Sequence, residues 1–175
     1  GYVYVGMDHF AKATDELAVA QAARTLQRNF QGYSTRAGVE ILAFGISSIS
    51  QTPYSYRQNH KTLAPYYASL DRGEAPIIRG RELSAEDHQR REIIMRVMCH
   101  LQLDYAALSR EFSCDFASRY ATELSRLQPL ADDGLVVLQP TGFSVTDLGR
   151  LFLRNIAVCF DAYYSAESKR HSRTV

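Results

Sequence analysis

Apolar positions recur along this chain in two periods, and the switches between them mark its elements. Tyr2-Val3-Tyr4-Val5 is β-branched and aromatic and predicts a strand. Thr14-Asp15-Glu16 supplies capping chemistry and early acidic charge, after which Leu17, Ala20, Ala23 and Leu26 hold one helical face to about Gln27. Gly45 to Ser50 reads as a short strand. Gln51 to His60 is polar, contains Pro53, Tyr54, Tyr56 and Arg57, and reads as a loop. A second helix is predicted from Thr62 as cap, with Pro65 in its first turn and Leu63, Tyr66, Tyr67 and Leu70 facing inward. Asp71 to Glu82 breaks the pattern with Gly73, Pro76 and Gly80 in a charged segment, and a domain boundary is expected there, giving regions 1–80 and 81–175.

The second region is read as mostly helical. Ser84-Ala85-Glu86-Asp87 resembles a capping box with Asp in place of Glu, and Ile93, Ile94, Val97, Met98 and Leu101 follow as an amphipathic stripe. Asp104 opens a helix to about Phe112. Asp115 opens another to about Leu127, with Phe116, Tyr120, Leu124 and Leu127 inward. Val136-Val137-Leu138, Pro140-Thr141-Gly142 and Phe143-Ser144-Val145 predict a hairpin. Thr146 caps a last helix with Leu148, Leu151, Phe152, Ile156, Cys159, Phe160 and Tyr163 inward, and Lys169 to Arg173 reads as a loose tail. The expected fold class is α/β to α+β, ending in a winged-helix-like unit with one β-hairpin.

Charge tests the nucleic-acid reading that such a unit raises. The hairpin and its flanks, 132 to 147, carry Asp132, Asp133 and Asp147 and no Lys or Arg, whereas a reader of DNA needs several cations facing phosphate. A packing or lid role is favoured, with no nucleic-acid partner. The net charge of +1 adds no global field, and 46% hydrophobic with 22% charged residues is ordinary for a soluble globular chain. No apolar run is long enough to span a bilayer, so no membrane partner is expected. The three cysteines, at 99, 114 and 159, form no C-x-x-C pair, and no zinc or iron–sulfur ligand set is visible. An odd cysteine count without a secretion signal points to a reducing, cytoplasmic setting. A chain that opens at Gly1 and runs straight into a strand is expected to be cut from something longer.

The densest candidate chemistry lies between Arg28 and Ser50. Phe30 offers a flat face, Gln31 donates and accepts hydrogen bonds, and Gly32 lets backbone approach a ligand, a mixture suited to the edge of a nucleoside pocket. The same residues also fit a strand–turn–strand scaffold without a ligand. Asp8 and His9 follow the first strand, where α/β proteins place ligands; His9 contacts substrate or shuttles a proton, or the two residues merely fasten the loop.

Several motifs taken together resemble a known family. They are G-M-D-H-F-A (6–11), D-E-L-A-V-A-Q (15–21), R-N-F-Q-G-Y (28–33), G-I-S-S-I-S (45–50), D-G-L-V (133–136), V-T-x-x-G-R-L-x-x-R-N-I (145–156) and C-F-D-x-Y (159–163). In order and spacing they are similar to the C-terminal part of the oxygen-independent coproporphyrinogen III oxidases, radical S-adenosylmethionine enzymes of haem synthesis. The resemblance implies that region 1–80 is the end of a radical-SAM partial barrel and 81–175 a helical C-terminal domain. It implies S-adenosyl-L-methionine and a [4Fe–4S] cluster as cofactors, a porphyrinogen substrate, and the N-terminal part of the same enzyme as partner. It implies oxidative decarboxylation of two substrate propionates to vinyl groups. Gln31 and Ile49 match positions that line the S-adenosylmethionine site in the family, and Phe30 lies beside them. The family's C-x-x-x-C-x-x-C cluster motif is absent, so this polypeptide alone is expected to hold no cluster, carry no catalytic residue and be inactive. A haem-chaperone-like paralogous group resembles N-x-x-Y-W at the corresponding segment, and F-Q-G-Y here, in a chain without Trp, favours the oxidase. Arg28, Arg36 and Arg57 are the cations nearest the pocket segments; none is singled out as a ligand of substrate carboxylates.

Overall fold

A computed structural model describes residues 1–164. Among them the chain runs β1 (Tyr2–Gly6), β2 (His9–Lys12), α1 (Glu16–Ala22), β3 (Gln27–Asn29), β4 (Gly32–Ser34), β5 (Ile49–Gln51), β6 (Ser55–Asn59), α2 (Leu63–Asp71) and β7 (Ile77–Glu82). It continues with α3 (Ala85–His100), β8 (Gln102–Asp104), α4 (Tyr105–Phe112), α5 (Phe116–Arg119), α6 (Ala121–Ser125), α7 (Gln128–Asp132), β9 (Val136–Gln139), β10 (Gly142–Val145) and α8 (Leu153–Ala157), with 3-10 turns on either side of α8. This is a mixed α and β chain whose strand ladders, among the described residues, are all antiparallel. No described helix is long and apolar enough to cross a membrane. The tail from Lys169 to Arg173 lies outside the described residues.

The chain divides into two compact units, one of Gly1–Thr35 with the segment from Gln89 onward, the other Arg36–His88. The expected cut near residue 80 does not coincide with this division, because Asp71 to Glu82 is not an inert linker. Its second half is β7, paired with β6 from Ser55↔Glu82 to Asn59↔Ile77.

In the first unit the core gathers Leu26, Ile93, Val97, Leu108, Phe116 and Phe160, all fully buried. The stripe predicted on α3 supplies Ile93, Val97 and Met98 to it. Asp104 caps α4 by accepting from Ala107 N at 2.8 Å, and Asp115 caps α5 through Ser118. The single helix expected from Asp115 to about Leu127 is instead broken, since Tyr120 leaves helical geometry at φ −107°, ψ 25°. The break lets α6 turn Glu123 inward, where its carboxylate meets Arg90 at 2.8 Å. Strands β8, β10 and β9 form one sheet in that order. After it Thr146 Oγ1 accepts from Gly149 N at 2.9 Å, as a cap should. In the following segment Ile156, Cys159 and Phe160 are buried as predicted, whereas Leu148 and Leu151 are exposed and Leu153 is buried in their stead. In that first turn Gly149 makes the close inward approach, since a Cβ there would stand 1.9 Å from the Leu135 carbonyl oxygen.

Helix α1 stops earlier than its apolar spacing suggests. Arg24 takes φ +56°, its N–H reaches Gln21 O, and Thr25 N reaches Ala20 O at 2.9 Å. That is a Schellman ending with Arg where Gly is usual, so the stop carries no glycine signal. Gln27–Asn29 becomes strand β3.

The second unit is built on the sheet β5-β6-β7. The loop expected over 51–60 is largely β6, and the strand expected over 45–50 begins only at Ile49. Gly45 to Ser48 is a turn, with Gly45 at φ +92° and Ser47 at φ +57°. Asn59, buried, fastens it by donating from Nδ2 to Gly45 O at 3.0 Å and Ser48 Oγ at 3.1 Å. Ser84 and Asp87 form the reciprocal box at the start of α3: Ser84 N donates to Asp87 Oδ2 at 2.8 Å, and Asp87 N to Ser84 Oγ at 3.1 Å. The described side chains buried in this unit are polar (Gln51, Ser55, Asn59, Ser69), while Phe44, Tyr54 and Leu42 stand 87%, 77% and 71% exposed.

Candidate functional site

Two short hairpins in the first unit carry the chemistry singled out by the sequence. Gly6 and Met7, both at positive φ, reverse the chain between β1 and β2. Met7-Asp8 is therefore a hairpin turn, and His9 opens an antiparallel strand; the ligand-bearing loop expected after a parallel strand is not formed. The second hairpin pairs Arg28↔Tyr33 and Asn29↔Gly32, which leaves Phe30-Gln31 as its two-residue turn. Asn29 Oδ1 accepts from Gln31 N at 2.8 Å and fixes the turn, while Gly32 takes φ +134°.

Contacts far apart in sequence hold that turn from below. A Cβ on Gly32 would lie 2.9 Å from His9 Nε2, so the imidazole sits directly against the backbone that follows Gln31. Its Nδ1 lies 2.9 Å from Asp8 Oδ1, and its ring meets Tyr33 edge-on at 5.2 Å. Of the two roles considered for His9, this geometry supports fastening. Tyr33 is the hub. Its hydroxyl donates to Met98 O at 3.3 Å and occupies the space a side chain at Gly6 would need, 2.3 Å from the ideal Cβ. Arg28 stands over its ring at 5.6 Å. Burial, reinforced by nearby Cys99, pushes the Tyr33 hydroxyl up to about 12, so it stays a proton donor across the physiological range. Burial likewise pushes the Cys99 thiol up to about 12, leaving an inert core thiol.

Phe30 and Gln31 thus share one turn, with Phe30 51% exposed and Gln31 exposed. Ile49 opens β5 in the other unit, opposite Gln58, and is half-buried. Tyr33 and Gly6 were visible as letters in the motifs but not as a pair, because only the folded chain brings them together. Arg28 is committed to Tyr33, and its backbone N–H reaches Met95 Sδ at 3.1 Å, which suits a structural role. Among the described residues no group of three His, Cys, Asp or Glu side chains is placed to hold a metal ion.

Comparison with known proteins bears on these segments. Residues 83–152 match the HemN C-terminal domain. The chain is 47% identical over 171 residues to the oxygen-independent coproporphyrinogen III oxidase of Thermostichus vulcanus, covering 97% of this chain and 53% of that protein. It is 43% identical over 177 residues to the protein of the same name from Escherichia coli, covering 100% of this chain and 39% of that one. A solved structure of coproporphyrinogen III oxidase (HemN) from Escherichia coli, described as a radical SAM enzyme, superposes with a TM-score of 0.87 at 44% identity, over 94% of this chain and 38% of that one. The chain therefore spans between 39% and 53% of the length of the two relatives named above.

Proposed function

We propose that this chain, which carries the HemN C-terminal domain over residues 83–152 and is similar along nearly all its length to oxygen-independent coproporphyrinogen III oxidases, is the C-terminal portion of such an enzyme. In this reading the longer protein converts two propionates of coproporphyrinogen III to vinyl groups with loss of carbon dioxide. The observation that carries it is the match to the Escherichia coli structure over 94% of the chain at 44% identity. The second unit adds physical support. A body that buries polar side chains and leaves Phe44, Tyr54 and Leu42 in water lacks the apolar cover a stable domain needs, and the N-terminal part of the same enzyme is the natural cover.

Residues 1–80 then finish the radical-SAM partial barrel, and 81–175 form the C-terminal domain; the family match beginning at residue 83 supports that boundary. The order α3, β8, α4, α5 to α7, β9, β10, with β10 central in its sheet, supports a winged-helix-like arrangement for that domain. The acidic hairpin flanks support a packing role without nucleic acid. A cytoplasmic setting belongs to the same reading.

The residues present do not fit the [4Fe–4S] cluster: Cys99 and Cys159 are buried in the core, and no described acid, imidazole or thiol group clusters as a ligand set. Its ligands fall to the rest of the enzyme. S-adenosylmethionine is different. Phe30 and Gln31, exposed on one turn, offer an adenosyl group a flat face and a donor–acceptor pair; Ile49, in the other unit, is carried as an S-adenosylmethionine contact by the family resemblance alone. When bound, that cofactor supplies the adenosyl group for hydrogen-atom abstraction; this chain's part is to seat and orient it. Decarboxylation of coproporphyrinogen III by the anaerobically prepared full-length protein is the expected result. An inactive full-length protein without iron and sulfide overturns the reading. Within it, Gln31→Ala weakens S-adenosylmethionine binding in calorimetry, by about tenfold for a lost buried amide hydrogen bond, and unchanged affinity removes Gln31 from the site.

A further inference from the structure

We infer that the face of the β5-β6-β7 sheet bearing Ile49 holds a carboxylate-binding site for the substrate, with Arg79 as its principal ligand. The inference rests on the reading above, since coproporphyrinogen carries its carboxylates on the rim of an apolar macrocycle. Residues directly opposite in an antiparallel ladder share a face. Ile49↔Gln58 and Gln58↔Arg79 therefore make one row across three strands, and Gln51↔Tyr56 and Tyr56↔Arg81 make the next row on the same face. With strands about 4.8 Å apart, the Arg79 backbone lies about 10 Å from that of Ile49. A macrocycle beside Ile49 can reach it with a carboxylate.

Arg79 is held for this work. Its Nε donates to Gln58 Oε1 at 2.8 Å, while Gln58 Nε2 donates to Ser47 O at 2.9 Å. Gln58 thus bridges the Gly45–Ser48 turn and the guanidinium, and fixes the plane of the latter. Using Nε internally leaves the end-on pair of Nη donors, the fork that fits a carboxylate in bidentate fashion. No described carboxylate pairs with Arg79, and Glu82, the one acid in these strands, lies on the opposite face with Ser55. Arg57 is excluded by the same register, since it pairs with Ser50 and Gly80 on the far side from Ile49. Arg81, two residues on, gives the face a second cation.

The test uses the full-length protein, with coproporphyrin III and its tetramethyl ester as probes followed by porphyrin fluorescence, and the KM for coproporphyrinogen alongside. Arg79→Gln is expected to raise both the coproporphyrin Kd and the KM by at least about tenfold, as for a lost charge-assisted pair, with S-adenosylmethionine affinity unchanged. Arg79→Lys, which keeps charge without the fork, falls between, and it carries the test if the Gln variant does not fold. Gln58→Ala raises KM less. Arg72→Gln, on an exposed ion pair with Glu74 in the same unit, changes nothing. The ester binds wild type and Arg79→Gln alike. An active wild type whose Arg79→Gln and Arg79→Lys variants keep the wild-type Kd and KM overturns the site and leaves the enzyme reading standing; a wild type that neither binds nor converts the porphyrinogen overturns both.

Discussion

Removing Glu123 should destabilise the first unit more than any surface ion pair does. Glu123 Oε1 sits 2.8 Å from Arg90 Nη2, and the two side chains are only 11% and 15% exposed. Arg90 has further commitments: Nη1 donates to Phe160 O at 3.1 Å, and the guanidinium stands 5.4 Å from the Tyr120 ring centre. One cation therefore ties α3 to α6 and to the 3-10 turn that ends the core. Glu123→Ala removes the buried carboxylate from the guanidinium and leaves the carbonyl and ring contacts in place. Such losses cost about 3–5 kcal/mol, and the residual exposure of this pair places the expectation near the lower end, about 3 kcal/mol. With a urea slope of about 2 kcal/mol/M, the midpoint falls by about 1.5 M. Glu123→Gln keeps an acceptor and should cost about 1–2 kcal/mol. The double variant Arg90→Met with Glu123→Leu removes both charges and replaces them with apolar volume, so it should recover most of the loss. Urea unfolding followed by far-ultraviolet circular dichroism gives the cycle. A cost for Glu123→Ala below about 1 kcal/mol, the range of exposed pairs, refutes the reasoning. So does a double variant as unstable as the worse single one.

Two further outcomes follow from packing and burial. Gly149→Ala should cost about 3 kcal/mol by thermal melting, because its Cβ would meet the Leu135 carbonyl oxygen, a backbone atom, at 1.9 Å; a Tm within a degree of wild type contradicts the close approach. Stability should also fall as pH rises from about 9 toward 12: burial keeps the Cys99 proton on in the folded state up to about 12, whereas the thiol of the unfolded chain ionises at its ordinary value near 9.0, so the unfolded state holds fewer protons across that window. Cys99→Val should flatten the slope of the urea midpoint between pH 9 and 11, and an unaltered slope places the titration elsewhere.

What could be read from the sequence was local, and what could not was set by contacts distant along the chain. The α3 stripe, the Ser84–Asp87 box and the Asp104 cap each depend on residues within two turns of one another, so the pattern carries them. Strands β6 and β7 carry no alternation to read. Their residues, Ser55-Tyr56-Arg57-Gln58-Asn59 and Ile77 to Glu82, cover no apolar core of their own unit and are held by the ladder and by Gln58 and Asn59. The last helical segment matches its apolar pattern at Ile156, Cys159 and Phe160 and departs from it at Leu148 and Leu151, where a glycine, not an apolar residue, makes the close inward contact. Phe30 and Gln31 read from the sequence as pocket-edge chemistry or as a strand–turn–strand scaffold, and Ile49 entered only through the family resemblance. The sequence could not reveal that the first two occupy a hairpin turn, or that Ile49 shares a cross-strand row with Gln58 and Arg79.

The support beneath the Phe30–Gln31 turn bears on how its side chains can act. Asn29 fixes the turn from within its own strand, His9 braces Gly32 from the neighbouring hairpin, and Tyr33 locks both hairpins to α3 through Met98. Three constraints of different origin act on about four backbone residues and together fix the position of the turn. Had Phe30 served only to cover the core, the economical arrangement would bury it; instead it stands half in water on a turn braced by Asn29, His9 and Tyr33. A rigid backbone with outward aromatic and amide groups spends its ordering entropy on folding and not at the moment a ligand arrives. If Gln31 holds S-adenosylmethionine as proposed, a cavity-forming change well below the turn, such as Tyr33→Ala, should weaken that binding through the position of Gln31 even though Tyr33 itself is buried.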